Sequence, residues 1–287
     1  AAPPTARRRA ATTRSRALTP FTRLTLGTRG PDVQALQQRL AERGFSPGAA
    51  DGHFGHGTEA AVRAFQLSSG LLADGVAGPR TLAALGLAND AQLPSALPKF
   101  TVQVVAAMCP GAPLGNIKTY LPALIQALEE HGLVDKPMLL MAVATICAET
   151  GRFAPLDEYR SRYNTSPSAR APYFDLYDNR ADLGNRGPND GSDFKGRGFI
   201  QLTGRANYER YGKALGLGDR LLREPEFAND PLIAARVLAR FLKDRELKIK
   251  RALLEGNFPQ ARKYVNGGTH GIVDFTRSYL AGEPLLA

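Results

Sequence analysis

No run of about 18 apolar residues occurs in the 287-residue chain, which excludes a membrane-spanning α-helix. The most apolar stretch, Met138 to Ala148, is too short to span and reads as a buried core helix. Cysteine is nearly absent. Cys109 and Cys147 offer neither a disulfide framework nor a zinc-like spacing, and Cys147, inside the apolar stretch, reads as a small buried hydrophobe. Histidine is equally sparse: of His53, His56, His131 and His270 only the first two are close, and in a glycine-rich loop they read as solvated side chains. No metal site is expected. Acid is missing altogether from residues 1–24, where Arg7, Arg8, Arg9, Arg14, Arg16 and Arg23 supply six of the ten net positive charges. Such a segment is drawn to polyanions, or is a solvated leader with no dedicated partner. It lacks interleaved aromatics, so nucleic acid is not the expected partner. It also lacks an apolar h-region, so it is not an intact secretory signal, and the chain opens on Ala1, leaving room for an upstream piece.

What is present divides the chain into four stretches. Residues 1–22 carry no hydrophobic period and read as a disordered Arg-rich tail. Residues 23–87 form a compact segment. Residues 88–99, with two prolines and little amphipathic pattern, read as a linker, and residues 100–287 as a larger, mainly helical domain. The compact segment holds an internal repeat: D-G-x-x-G-x-x-T-x-x-A begins at Asp51 and recurs at Asp74, offset by 23 residues. Each copy reads as a glycine turn followed by a helix, with Thr58 or Thr81 near the helix N-terminus, where a side-chain oxygen can cap free N–H groups. An earlier helix, Pro31 to Arg43, places Val33, Leu36, Gln37 and Leu40 along one face. Three short helices can pack a core of about 60 residues.

In the larger domain, Asp135-Lys136-Pro137 opens a helix, Asp as N-cap and Pro in the first turn. Apolar residues then occupy nearly every face until one acid, Glu149, arrives just before the helix-stopping Gly151. Desolvation disfavours a charged carboxylate, which suits a proton donor; a Glu that merely emerges at a helix end is the alternative. Nine residues on lies Glu158, followed by a long segment to Asp193 dense in Tyr, Asn, Asp, Arg and Gly. Two carboxylates flanking a sugar bond are the minimum equipment of a glycosidase, and polar-aromatic loops suit sugar hydroxyls and ring faces. The G-x-G of Gly196-Arg197-Gly198 lacks a following Lys-Ser/Thr, so a nucleotide loop is disfavoured.

Two resemblances follow from these residues. LTLGTRGPDVQALQQRL, GHFGHGTEAAVRAFQ and GLLADGVAGPRTLAAL look like the three helices of a peptidoglycan-binding domain. AETGRF at 148–153, FKGRGFIQLTGRANYERYG at 194–212 and VNGG at 265–268 resemble the family-19 chitinases and, more closely, the endolysins related to them. The second resemblance implies a lysozyme-like α-helical domain with a cleft, Glu149 as general acid, and Gln201, Asn207 and Asn266 as substrate contacts. Thr203, on the same segment, could hold the water. Glu158 suits the base or charge stabiliser of the endolysin-like branch, and Tyr159 and Arg197 complete the expected substrate contacts. Chitinase relatives invert anomeric configuration, so inversion is expected here. Phe199 and Ala148 replace the Pro and His usual in plant chitinases, favouring peptidoglycan over chitin. The expected protein is therefore a monomeric peptidoglycan hydrolase without cofactor. It would cut the bond between N-acetylmuramic acid and N-acetylglucosamine and act at the cell wall or periplasm. If phage-encoded, it would be made in the host cytoplasm and released at lysis. Its tail would touch anionic outer-membrane or wall polymers. A chitinase and a non-enzymatic wall-binding or virion protein are the alternatives.

Overall fold

The computed structural model describes residues 23–88, 95–168, 170 and 172–286. The expected tail, 1–22, lies outside them, as do residues 89–94 of the expected linker. The chain divides into two compact units between Pro94 and Ser95. Both are helical; among the described residues no strand forms, only isolated bridges such as Leu24 with Ala77 and Arg29 with His53.

In the first unit α1 (Pro31–Glu42), α2 (His56–Ser68) and α3 (Pro79–Ala84) follow Gly30, Gly55 and Gly78. Their inner faces, with Val33, Leu36 and Leu40, Val62 and Phe65, and Leu82 and Leu85, close one apolar core around Phe54. The repeat has a structural cause that its sequence pattern did not reveal. The side chain of Gln37, buried on α1, donates through Nε2 to Asp51 Oδ1 at 3.0 Å, His53 O at 3.0 Å and Thr58 Oγ1 at 3.1 Å, and accepts from Gly52 N at 2.9 Å. Gln66 on α2 repeats this with Asp74 Oδ1 at 2.8 Å, Val76 O at 2.9 Å, Thr81 Oγ1 at 3.0 Å and Gly75 N at 3.0 Å. Thr58 and Thr81 therefore do not cap their helices. They sit in the first turn but face inward, and each serves a glutamine of the preceding helix.

The second unit is built around one helix. After α4 (Val102–Met108) and α5 (Leu114–Glu130), α6 (Lys136–Thr150) buries every residue from Met138 to Ile146. Asp135 caps it, accepting from Met138 N at 3.3 Å, and also holds Lys250. Gly151 ends it in the left-handed region at φ 60°, a conformation glycine adopts without strain. Short helices α7 (Asp190–Asp193), α8 (Arg205–Ala214) and α9 (Arg220–Arg223) follow the long polar loop. Then α10 (Pro231–Lys243), α11 (Glu246–Leu254), α12 (Phe258–Asn266) and α13 (Ile272–Gly282) complete the unit. Helices α4, α10, α11 and α13 surround α6.

Two sequence readings change here. Cys147 is not a free buried hydrophobe: it forms a disulfide with Cys109 at the end of α4, across 38 residues of chain. Within the segment read as a linker, Leu97–Lys99 make a 3-10 turn, and Ala96 donates to Val134 O at 2.8 Å. Apolar Ala96 and Leu97 pack on the core of the second unit.

Candidate active site

Glu149 occupies the last turn of α6, and three interactions fix that turn and the residues that leave it. The disulfide ties Cys147 to α4, Thr150 Oγ1 donates to Ile146 O at 3.0 Å, and Asn116 Nδ2 donates to Arg152 O at 2.8 Å. Beyond the turn, Phe153 is fully buried with its ring 6.2 Å from Phe199. The carboxylate is not in purely apolar surroundings as expected. Arg262 of α12, with no exposed side-chain surface, places Nη2 at 2.8 Å from Glu149 Oε1, while the Glu149 side chain is 16% exposed. That nitrogen is close but not aligned as a hydrogen bond, and Nη1 has no hydrogen-bond partner. We read the contact as charge against charge. The guanidinium is otherwise held by Nε, which donates to His270 O at 3.1 Å. Sequence reasoning missed Arg262. Its signal was a charge on the helix face shared by Ala261 and Val265, both buried.

Segment 194–204 folds back on itself. Arg197 and Leu202 exchange both backbone hydrogen bonds, at 3.2 and 2.8 Å, so the residues between them make a tight turn. Gln201 closes the turn at φ 52°, unusual for a side-chain-bearing residue, and its own amide holds it there. Nε2 donates to Leu156 O at 3.0 Å and to Gly198 O at 3.2 Å. Thr203 Oγ1 donates to Gln201 O at 2.9 Å, and Asn207 Nδ2 to Thr203 O at 2.8 Å. At the end of α12, Asn266 accepts from Gly268 N at 3.0 Å. Glu149, Gln201, Thr203, Asn207 and Asn266 line one open cleft, over apolar surface from Ile200, Phe241 and Val265.

The other expected site residues lie elsewhere. Glu158 sits beside the cleft, not among the residues lining it. Its Oε1 accepts from Asn164 Nδ2 at 2.9 Å and Tyr177 OH at 2.8 Å, and its Oε2 from Gly196 N at 3.0 Å. Burial, and then the hydrogen bond to Glu158, push the Tyr177 hydroxyl pKa well above its usual value, so it serves Glu158 as a fixed donor. Gly196 allows the close approach: a Cβ there would lie 2.9 Å from Gln201 Oε1 and 3.1 Å from Glu158 Oε2. Gly196 thus stands beside both Glu158 and Gln201 of the cleft. Tyr159 is 70% exposed and outside the cleft lining. Arg197, expected to touch substrate, is buried, its Nη1 donating to Asp193 O at 2.6 Å and Tyr208 OH at 2.9 Å. Its Nε faces Asp157 at 3.3 Å, so the guanidinium is spent on the loop frame. Burial opposes charge on Asp157, but hydrogen bonds from Lys195 and Asn229 and the nearby Arg197 outweigh it and hold its pKa below the usual range. Among the described residues no three His, Cys, Asp or Glu side chains converge as metal ligands would.

Comparison with known proteins gives short sequence matches and loose structural ones. The chain is 50% identical over 56 residues to the N-acetylmuramoyl-L-alanine amidase CwlM of Mycobacterium tuberculosis, covering 20% of this chain and 14% of that protein. It is 48% identical over 44 residues to the acidic endochitinase pcht28 of Solanum chilense, covering 15% of this chain and 17% of the other. The chain therefore spans under a fifth of the length of either relative. Among solved structures, chitinase C from Streptomyces griseus aligns over 66% of this chain and 76% of its own, at 15% identity and a TM-score of 0.44. A Burkholderia AP3 phage endolysin aligns over 93% of this chain and 100% of its own, at 18% identity and a TM-score of 0.25. One match coincides with a structural unit described above: residues 29–85, the clasped three-helix unit, carry a putative peptidoglycan binding domain.

Proposed function

We propose that the chain is an endolysin-type hydrolase that cuts the β-1,4 bond between N-acetylmuramic acid and N-acetylglucosamine in peptidoglycan, and so acts on the bacterial wall. The observation that carries this reading is the convergence of Glu149 with Gln201, Thr203, Asn207 and Asn266, from three separate segments, in one cleft. The wall-binding family match supports the substrate. Glu149 takes up a proton before each turnover and donates it to the glycosidic oxygen as the C1–O bond breaks, returning to the carboxylate that the Arg262 guanidinium stabilises. Water adds to C1 and loses a proton toward Glu158, with Thr203 orienting the water. Glu158 is held by three donors, as suits a fixed base. Attack from the face opposite the leaving group inverts the anomeric centre. The amides of Gln201, Asn207 and Asn266 hold acetamido and hydroxyl groups, while Ile200, Phe241 and Val265 meet the ring faces.

The test is mass analysis of digested peptidoglycan beside chitin oligomers. A new reducing-end N-acetylmuramic acid supports the proposal. Reducing-end N-acetylglucosamine, free stem peptides or cleavage of chitin alone would replace it with a glucosaminidase, an amidase or a chitinase. The endochitinase match is the reason chitin belongs in the assay.

A further inference from the structure

The loop that clasps Glu158 has an outer side the proposed reaction does not use. Inside, Asn164 is fully buried and donates to both Glu158 Oε1 and Tyr159 O, each at 2.9 Å. Thr165 Oγ1 accepts from Phe174 N at 3.1 Å, and Asp175 Oδ1 accepts from Ser166 N at 2.7 Å. The loop is thus anchored from within. Outside, Tyr159, Tyr163 and Tyr173 are 70%, 72% and 60% exposed. Three large rings left in water on an anchored loop do nothing for its packing.

Two of these rings, Tyr163 and Tyr173, are paired with cations. The Arg160 guanidinium lies 4.5 Å from the centroid of Tyr173, and that of Arg162 lies 4.9 Å from the centroid of Tyr163. No carboxylate of the described residues is ion-paired with either arginine. In sequence, no acid stands between Glu158 and Asp175, while Arg160, Arg162 and Arg170 do. Arg162 Nη2 also donates to the Tyr163 hydroxyl at 2.7 Å, and each guanidinium has further N–H groups in the fork that matches a carboxylate, beside an exposed tyrosine that offers a face for a sugar ring. The rim adjoins the site, because Tyr159 follows Glu158 directly and Glu158 meets Gln201 of the cleft across Gly196.

We propose that this tyrosine–arginine rim binds the carboxylate-bearing part of the glycan strand as it leaves the cleft, and so selects an acidic glycan over a neutral one. The inference rests on the reading of the cleft as a peptidoglycan-cleaving site. The lactyl group of N-acetylmuramic acid either ends in a free carboxylate or is amide-linked to a stem peptide that carries carboxylates of its own. Chitin has none. Selection against chitin is then a matter of charge on the rim rather than of shape in the cleft.

The test uses the full chain and its Arg160→Gln/Arg162→Gln variant on three soluble polymers: uncrosslinked peptidoglycan strands, the same strands with their carboxyls amidated, and chitin oligomers. On native strands the variant raises KM about tenfold and changes kcat less than about twofold, as loss of two charge-assisted contacts at a distance from the reacting bond predicts. Wild type on amidated strands behaves like the variant on native ones, and chitin oligomers do not distinguish the two proteins. An equal rise in KM on amidated strands, or none on native strands, overturns the proposal. Should wild type cleave none of the polymers, the reading of the cleft fails by itself. The rim is then judged by co-sedimentation, where equal binding of native strands by wild type and variant overturns it and weaker binding by the variant supports it.

Discussion

Replacing a catalytic carboxylate commonly leaves a fold intact or steadies it, and Glu149→Gln should do the opposite. Arg262 has no exposed side-chain surface, its Nη1 lacks a hydrogen-bond partner, and Glu149 is the carboxylate at 2.8 Å from its Nη2. Neutralising Glu149 leaves that buried cation uncompensated. Removing one partner of a buried pair costs about 3–5 kcal/mol. The low end applies, because Glu149 keeps 16% exposure and the contact is not aligned as a hydrogen bond. In a unit of this size, about 3 kcal/mol lowers the melting midpoint by roughly 6–12 °C. Arg262→Met alone should cost less, since the partly exposed carboxylate can regain water. The pair Glu149→Gln/Arg262→Met should recover most of the lost stability and none of the activity, a coupling that a double-mutant cycle isolates. The assay is calorimetric melting of the four proteins beside lysis of permeabilised Gram-negative cells. A Glu149→Gln protein that melts with wild type, or a double variant less stable than Glu149→Gln, would refute the account of the ion pair. Retained lytic activity in Glu149→Gln would refute its role as acid.

Gln66→Ala should release α3 from the first unit, because each lost partner left buried costs about 1–3 kcal/mol and a helix of this length has little else to hold it. Pull-down on insoluble peptidoglycan should fail, while hydrolysis of soluble fragments persists. Reduction of Cys109–Cys147 should destabilise the second unit by about 4 kcal/mol on the chain-entropy account of its 38-residue separation, and a Cys109→Ala/Cys147→Ala variant should melt identically with and without reductant. Glu130, which joins α5 to α10 through Arg236, has its pKa lowered from 4.5 to about 2 by hydrogen bonds from Arg236 and then Gln126. Since the folded value is the lower, the pair's stabilisation is complete above pH 4.5 and is lost as pH falls toward about 2. The partly exposed pair is solvent-screened, so Glu130→Gln should melt only about 2–3 °C below wild type at pH 7, with the difference closing at low pH.

Features governed by local sequence were legible. The apolar run from Met138, its Asp135 cap and its Gly151 stop define α6 without reference to anything distant, and α1 declares itself by Val33, Leu36 and Leu40 on one face. The motifs singled out Gln201, Thr203, Asn207 and Asn266, and these line one cleft with Glu149. What escaped depends on residues far apart in the chain. Nothing near Cys147 announces a partner 38 residues earlier, and nothing near Glu149 announces Arg262. Arg197 misled because a polar residue between two glycines looks exposed, whereas Tyr208 and Asp157 enclose it. Thr58 and Thr81 misled differently: their position in the first helical turn was right, but the glutamine that claims each hydroxyl lies on another helix.

The two glutamine clasps give the first unit a direction. Gln37 of α1 secures the turn before α2, and Gln66 of α2 secures the turn before α3, so each helix holds the entrance to the next. The unit is a short relay, in which placing one helix supplies the template for its successor, as in repeat arrays built from nearest-neighbour terms. Damage should therefore spread unevenly along it: loss of the first clasp releases both later helices, and loss of the second leaves α1 and α2 a partner each.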